Sequence, residues 1–266
     1  MYAFDYHKPR SLAEAAALLA EKAEGRLMAG GMTLIPTLKQ RLAAPTDVID
    51  LAGIPGLAGI SVTAHEITVG AMTTHAAVAH SPEVKAKLPA LAALAEGIGD
   101  PQVRHRGTIG GSISNADPAA DYPAGLVGLG ATVVTDRREI AADDFFTALF
   151  ETALEPGEIV RQVRFPIPLA AAYAKFPNPA SRYAVAGVFV ARTANGVRVA
   201  VTGAGPSVFR VPEMEAALDA SFTADAIAGI VVSADGLNED PHATAAYRAN
   251  LVKVMATRAV AQILEH

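Results

Sequence analysis

Two glycine-bearing turns constrain this chain more than any other feature. The first, Ala29-Gly30-Gly31-Met32-Thr33-Leu34, follows the short apolar segment 26–29 and opens residues 32–42, which are helix-forming apart from Pro36. A strand, a glycine turn and a short helix are expected there. Glycine tolerates positive φ and close backbone approach, and free N–H groups at a helix start can cradle an anion such as pyrophosphate. A plain strand-to-helix turn accounts for the segment as well, since it matches neither G-x-G-x-x-G nor a Walker A loop. The second turn, Arg104-His105-Arg106-Gly107-Thr108-Ile109-Gly110-Gly111-Ser112, interleaves glycines with the Thr108 and Ser112 hydroxyls behind Arg104 and Arg106. That composition suits a backbone nest for phosphate, and equally a tight hairpin with a solvated basic rim. Downstream, Asp117 and Asp121 can offer carboxylates to ribose or ribityl hydroxyls, or serve as helix N-caps.

Around these turns the hydrophobic pattern predicts an α+β chain in three parts: residues 1–56, 57–168 and 169–266. Residues 11–24 have helical spacing, with Ser11 and Glu14 placed as a capping box. Residues 48–51 read as a buried strand, and 60–62 with 67–70 as a hairpin turning near Ala64-His65. Residues 71–99 read as helix in two pieces broken at Pro82 and Pro89, with His75 and His80 on its surface. Residues 131–135 and 159–165 are expected strands of a mixed central sheet, flanking an acidic turn at Asp143-Asp144. Beyond Pro166 and Pro168, residues 183–193, 197–204 and 209–212 form an antiparallel sheet, with Asn195-Gly196 as a hairpin turn. A helix over 243–264 carries Leu251, Val254, Met255, Ala259 and Ile263 on one stripe.

Composition removes several function classes. Hydrophobic residues at 51% against 18% charged argue for a packed globular chain, and a net charge of -5 leaves no cationic excess for a nucleic-acid backbone. No apolar run approaches the roughly 20 residues of a membrane span, and residues 1–10 lack a signal-peptide core, so a cytoplasmic protein is expected. With no cysteine, the chain can hold neither a disulfide nor a thiolate-ligated iron-sulfur cluster. The scattered histidines form no H-E-x-x-H, no metal site is expected, and no G-x-S-x-G elbow suggests a serine nucleophile. Leu264-Glu265-His266 looks like the start of a vector-encoded histidine tag.

Taken together, the two turns resemble the flavin-binding segments of the FAD subunit in the carbon monoxide dehydrogenase and xanthine dehydrogenase family of molybdenum hydroxylases. Members carry an A-G-G-x-S/T-L loop and a T-I-G-G-N loop on the FAD diphosphate, the second followed by a short acidic segment. Phe4-Asp5-Tyr6, Gly70-Ala71-Met72-Thr73-Thr74 and Glu158-Ile159-Val160 also fit, so the resemblance covers nearly the whole chain. It implies an FAD-binding fold of the PCMH type: two α/β subdomains, then a C-terminal antiparallel sheet with a helix bundle. FAD would lie noncovalently between the first two parts. The pyrophosphate would be lined by Ala29, Gly30, Gly31, Met32 and Thr33, with Leu34 closing the loop, and by Thr108, Ile109, Gly110, Gly111 and Ser112. Asp121 would contact FAD, with Asp117 beside it in the acidic segment. Val160 would be an apolar flavin contact and Lys175 a basic residue near the flavin. Tyr183 is either a ring neighbour or a core aromatic. Met32 stands where many relatives have a polar residue, and Ser112 replaces the frequent Asn.

The implied role is electron transfer. An iron-sulfur small subunit holding two-iron two-sulfur clusters would relay electrons from a large subunit holding the molybdenum cofactor, and this chain would pass them from FAD to an acceptor. Two other readings stay open: a stand-alone FAD oxidoreductase, and a flavin-free scaffold subunit.

Overall fold

The computed structural model describes residues 1–265; His266, taken above as part of a tag, lies outside them. The first unit holds β1 (Asp5–His7), α1 (Leu12–Glu21), β2 (Arg26–Met28), α2 (Leu34–Lys39) and β3 (Asp47–Asp50), with the strands parallel in the order β1-β3-β2. Ser11 caps α1 by accepting the Glu14 N–H at 3.1 Å. The Glu14 carboxylate reaches back to the Arg10 N–H at 2.7 Å, one residue before the partner a capping box would use. Ala15 and Ile49 are fully buried and join α1 to the sheet.

The central unit begins with β4 (Ile60–Val62) and β5 (Glu66–Gly70), the expected hairpin. Six helices follow: α3 (His75–His80), α4 (Pro82–Lys87), α5 (Pro89–Glu96), α6 (Pro101–Arg106), α7 (Ile109–Asn115) and α8 (Tyr122–Leu129). Pro82 and Pro89 each open a helix of their own, so residues 75–96 form three helices where two were expected; proline at N1 lacks only an N–H that would have no partner there. Next come β6 (Thr132–Thr135), β7 (Glu139–Ala141), α9 (Ala142–Phe145), β8 (Phe146–Ala148), β9 (Glu151–Thr152) and β10 (Val160–Pro166). Asp143-Asp144 lies in the first turn of α9, where acidic side chains favour a helix start, and is not an open turn.

The five-stranded central sheet runs β4-β5-β10-β6-β7 with every pair antiparallel, which corrects the expected mixed sheet. The six helices carry the chain from β5 past its neighbour-to-be, and β10 returns to fill the gap between β5 and β6.

The last unit has β11 (Ala170–Pro177), β12 (Ala184–Thr193), β13 (Gly196–Thr202) and β14 (Phe209–Arg210) in sequential antiparallel order, then α10 (Pro212–Ala220), α11 (Ala224–Ala228) and α12 (Ala245–Leu264). Leu251, Met255 and Ala259 of α12 bury against this sheet with Val188, Val190 and Val199. The opposite face belongs to the central core: Phe189 lies over Gly125 and Gly128 of α8, and Ala191 and Ala200 join the same cluster. One sheet therefore serves two cores.

Candidate functional site

One cavity of about 650 Å³ opens where the three units meet, a size usual for a cofactor site. Its wall comes from the β2–α2 turn, the chain after β5, the α5–α6 connection, the start of α7, the α7–α8 loop, Glu158-Ile159-Val160 and Ser181-Arg182-Tyr183.

Both glycine turns line this space. β2 delivers Ala29 to the wall, and Gly31, at φ +74°, reverses the chain into α2. A Cβ on Gly30 would stand 1.9 Å from the Arg106 carbonyl oxygen, and one on Gly111 would stand 3.4 Å from the Ala29 Cβ. The turns thus meet backbone to backbone along a seam that only glycine at position 30 permits. Among the described residues, the N–H groups of Gly30, Gly31, Met32 and Thr33 have no hydrogen-bond partner. A run of unpartnered donors at a helix start is a ready anion cradle.

The second turn works differently. Gly107 ends α6, and Gly110 and Gly111 lie in the first turn of α7, not in a hairpin. Ile109 N–H donates to the Thr73 carbonyl at 3.1 Å, Gly110 N–H to the Ala71 carbonyl at 2.8 Å and Ser112 N–H to the Thr108 carbonyl at 3.0 Å. Gly111 N–H goes to the Thr108 hydroxyl oxygen at 3.1 Å. With these four donors spent on the chain after β5 and on capping α7, the second turn offers fewer free N–H groups than the first. Ile109 is fully buried in the central core and is not among the residues that line the cavity. Thr108, Gly110, Gly111 and Ser112 do line it, and Ser114 and Asn115 continue the polar strip along α7.

The acidic segment also lines the cavity. Asp117 accepts the Ala119 N–H at 2.9 Å, and burial raises its carboxyl above the usual range. Asp121 lines the cavity but is committed elsewhere: Tyr173 donates to it at 2.5 Å and the Lys175 ammonium sits 2.9 Å away. Burial pushes the Asp121 carboxyl up, opposed by Lys175 and Tyr173. Lys175 is not itself among the residues of the cavity wall. Its ammonium donates to the Gly97 carbonyl at 2.8 Å and the Arg182 carbonyl at 3.0 Å, tying together segments that do form the wall. Tyr183 lines the cavity and is 44% exposed, so it is not a core aromatic. Val160 is buried and supplies an apolar face with Ile159 and Leu154.

Glu158, also in the wall, accepts from the Arg138 guanidinium at 3.0 Å and from the Thr135 hydroxyl at 2.7 Å. The hydrogen bond from Arg138, more than any other contact, holds its carboxyl at about 2.

Sequence reasoning missed His75, expected on a helix surface. It is 4% exposed and part of the cavity wall. Burial, reinforced by the nearby Arg104 charge, lowers its pKa to about 4. A signal existed: His75, Val78 and Ala79 stand at i, i+3 and i+4, the spacing of a buried stripe. Arg26 and Arg182, also unforeseen, line the cavity. The donor cradle, the hydroxyl strip and the apolar face fit the diphosphate, polyol and ring of a flavin dinucleotide.

Residues 2–168 match the family described as the FAD binding domain in molybdopterin dehydrogenase. The nicotine 6-hydroxylase medium subunit of Paenarthrobacter nicotinovorans is 35% identical over 98% of this chain and 97% of its own length. The carbon monoxide dehydrogenase medium chain of Afipia carboxidovorans is 40% identical over 76% of this chain and 73% of its own. Among solved structures, the Cu,Mo-CO dehydrogenase in its cyanide-inactivated form aligns with a TM-score of 0.89 at 34% identity, covering 98% of this chain and 97% of that one. Quinoline 2-oxidoreductase from Pseudomonas putida 86 aligns at 0.90 with 29% identity, covering 99% and 98%. The α+β architecture is the one the sequence resemblance implied, and the chain belongs to the family of FAD-binding domains of molybdopterin dehydrogenases, an oxidoreductase family.

Proposed function

We propose that this chain is the FAD-binding, electron-transferring medium subunit of a carbon monoxide dehydrogenase-like molybdenum hydroxylase, acting in the cytoplasm between an iron-sulfur small subunit and an acceptor. The observation that carries this reading is the run of unpartnered N–H groups from Gly30 to Thr33, in residues that line one cavity together with Thr108 and Ser112. Bound FAD would supply the redox chemistry. The chain's own part is to hold and orient it: the first turn neutralises a diphosphate, Ser112 and Asn115 take polar atoms along α7, and Leu154, Ile159 and Val160 keep water from the ring. Tyr183 and Arg182 would border the exposed side, and Asp117 would accept from ribityl or ribose hydroxyls.

The molybdenum cofactor and the two-iron two-sulfur clusters would belong to the large and small subunits, since a chain without cysteine offers a cluster no thiolate. Two relatives bear names of the same kind, a glyceraldehyde dehydrogenase medium chain and a subunit of the 6-hydroxypseudooxynicotine dehydrogenase complex. No helix among the described residues is long and apolar enough to cross a membrane.

The test is the absorption spectrum of the purified chain before and after FAD is added, alone and with both partner subunits coexpressed. Flavin bands, release of FAD and not FMN on chromatography, and copurification of three subunits are expected. A chain that stays colourless in both settings refutes the reading, and NADH-dependent turnover by the isolated chain would move it to the stand-alone oxidoreductase.

A further inference from the structure

We propose that Thr202 of β13 is a positioning residue for the cofactor: its hydroxyl clamps the carbonyls of Pro118 and Ala120 and so fixes the acidic segment 117–121 in the cavity wall. This rests on the FAD reading above and extends the site into the C-terminal sheet.

The segment between α7 and α8 has few bonds of its own. The Asp117 side chain accepts the Ala119 N–H at 2.9 Å, and the Asp117 carbonyl accepts the Ala120 N–H at 3.0 Å. The three carbonyls that follow go to the C-terminal sheet. Pro118 accepts the Gly203 N–H at 2.7 Å and Ala119 accepts the Ala184 N–H at 3.1 Å. The Thr202 hydroxyl stands 2.6 Å from the Ala120 carbonyl oxygen and 3.0 Å from that of Pro118. At Asp121, Tyr173 and Lys175 add contacts from β11. A short segment is thus moored to β11, β12 and β13, while its Asp117, Ala120 and Asp121 line the cavity.

Packing alone does not call for a threonine at 202. Along β13 alternate side chains serve the two cores: Val197, Val199 and Val201 join the cluster under α12, and Ala200 joins the central one. Thr202 shares the face of Ala200 and is fully buried, a place where valine would fill nearly the same space. A buried hydroxyl is costly unless it is hydrogen-bonded. This one gives the Ala120 carbonyl its partner; among the described residues that carbonyl has no other.

The mooring is held from behind as well. Gly203, at φ +82°, lies against the start of β12, where a Cβ would stand 2.4 Å from the Ala184 carbonyl oxygen. The buried Arg248 guanidinium of α12 closes the same place, donating to the Val185 carbonyl at 2.6 Å and the Gly203 carbonyl at 3.0 Å. From α12 through the end of β13 to the acidic segment runs one hydrogen-bonded chain, so a displacement at Thr202 reaches the cavity wall, and small displacements weaken a positioned site.

The experiment titrates FAD into the full-length chain, or into the complex with both partner subunits if wild type loads only there, and follows flavin fluorescence, absorption and Tm. Thr202→Val is expected to bind FAD about fivefold more weakly and to shift the flavin absorption bands. Thr202→Ser, which keeps the hydroxyl, should recover most of the affinity. Val260→Ala opens a cavity under α12 on the other face of the sheet; it should lower Tm and leave affinity and bands at wild-type values. Should Thr202→Val fail to fold, amide exchange in wild type carries the test: by reciprocity, bound FAD must slow exchange at Gly203 and Ala184, whose N–H groups hold the segment. Wild-type affinity and spectrum in folded Thr202→Val, no recovery in Thr202→Ser, an equal affinity loss in Val260→Ala, or unchanged exchange at Gly203 and Ala184 in saturated protein each overturns the inference alone. Wild type that takes up no FAD in either setting overturns the cofactor reading with it.

Discussion

Gly30→Ala tests the seam between the two turns. The added Cβ would stand 1.9 Å from the Arg106 carbonyl oxygen and 2.6 Å from its carbon, and both obstacles are backbone. Carbon–oxygen contacts close at about 3.3 Å, so the turns must part by about 1.4 Å, and no side chain can give way instead. Overpacking of this kind costs about 1–3 kcal/mol, which for a chain of this size lowers Tm by roughly 3–10 °C. The same displacement carries the Gly30–Thr33 donors away from the Ser112 side, and misplacement near 1 Å can cost about a hundredfold in a positioned site. Gly111→Ala is the control. Its Cβ meets the Thr108 hydroxyl oxygen at 3.1 Å and the Ala29 Cβ at 3.4 Å, tight but tolerable. Alanine also favours the helix by about 0.5–1 kcal/mol, so Tm should hold while FAD binding weakens modestly. Gly110 is a poor probe, because a Cβ there strikes the Ala71 Cβ at 2.6 Å and would damage the core along with the site. Calorimetry of the apo chain and fluorescence titration with FAD read both quantities. A Gly30→Ala chain with wild-type Tm and wild-type Kd refutes the seam.

Two further outcomes follow from buried charge. Lys175→Met strands Asp121 without its counter-ion, and breaking such a pair costs about 3–5 kcal/mol, so Tm should drop by roughly 10 °C and recover substantially in the Asp121→Asn/Lys175→Met double variant; equal Tm in wild type and single variant would show the pair to be inert. Glu158 has its folded pKa depressed to about 2 from 4.5, so its contribution is present above pH 4.5 and is lost as pH falls from 4.5 towards 2. The full shift corresponds to about 3 kcal/mol, reduced to about 2 because Arg138 is partly solvated. Glu158→Gln should therefore be less stable than wild type at pH 7 and nearly equal to it at pH 2.5, and a constant difference across that range would contradict the assignment.

Local chemistry made part of this fold legible. The hairpin expected at Asn195-Gly196 forms one residue earlier, with Ala194 and Asn195 as its loop and Gly196 paired with Thr193, while Ser11 caps α1 and the Leu251, Met255 and Ala259 stripe marks the buried face of α12. β11 was invisible because Ala170–Pro177 holds three alanines in a row and no β-branched residue; it is a strand only because β12 pairs along its whole length. At the site, both glycine turns were visible, but their difference was not. Whether a backbone N–H is free depends on what lies opposite, and for Ile109 and Gly110 that is the chain at Thr73 and Ala71, far off in sequence. The partners of Lys175 were hidden for the same reason: a cation marks a charged neighbourhood, while only the fold shows that it meets Asp121 and two carbonyls.

The first unit has a small interior: Ala15, Ile49, Leu51, Ile54 and Leu57, closed by Ile159 lent from the central unit. Its glycine turn faces the cavity, so a bound dinucleotide completes an interior the polypeptide leaves unfinished. By mass action, cofactor at a hundred times its Kd adds about 2.7 kcal/mol to such a chain. Flavin supply then becomes a term in protein turnover. In a cell short of FAD, newly made chains are expected to open first at this unit and meet proteases there, so that the number of complete assemblies follows the flavin pool with no dedicated sensor.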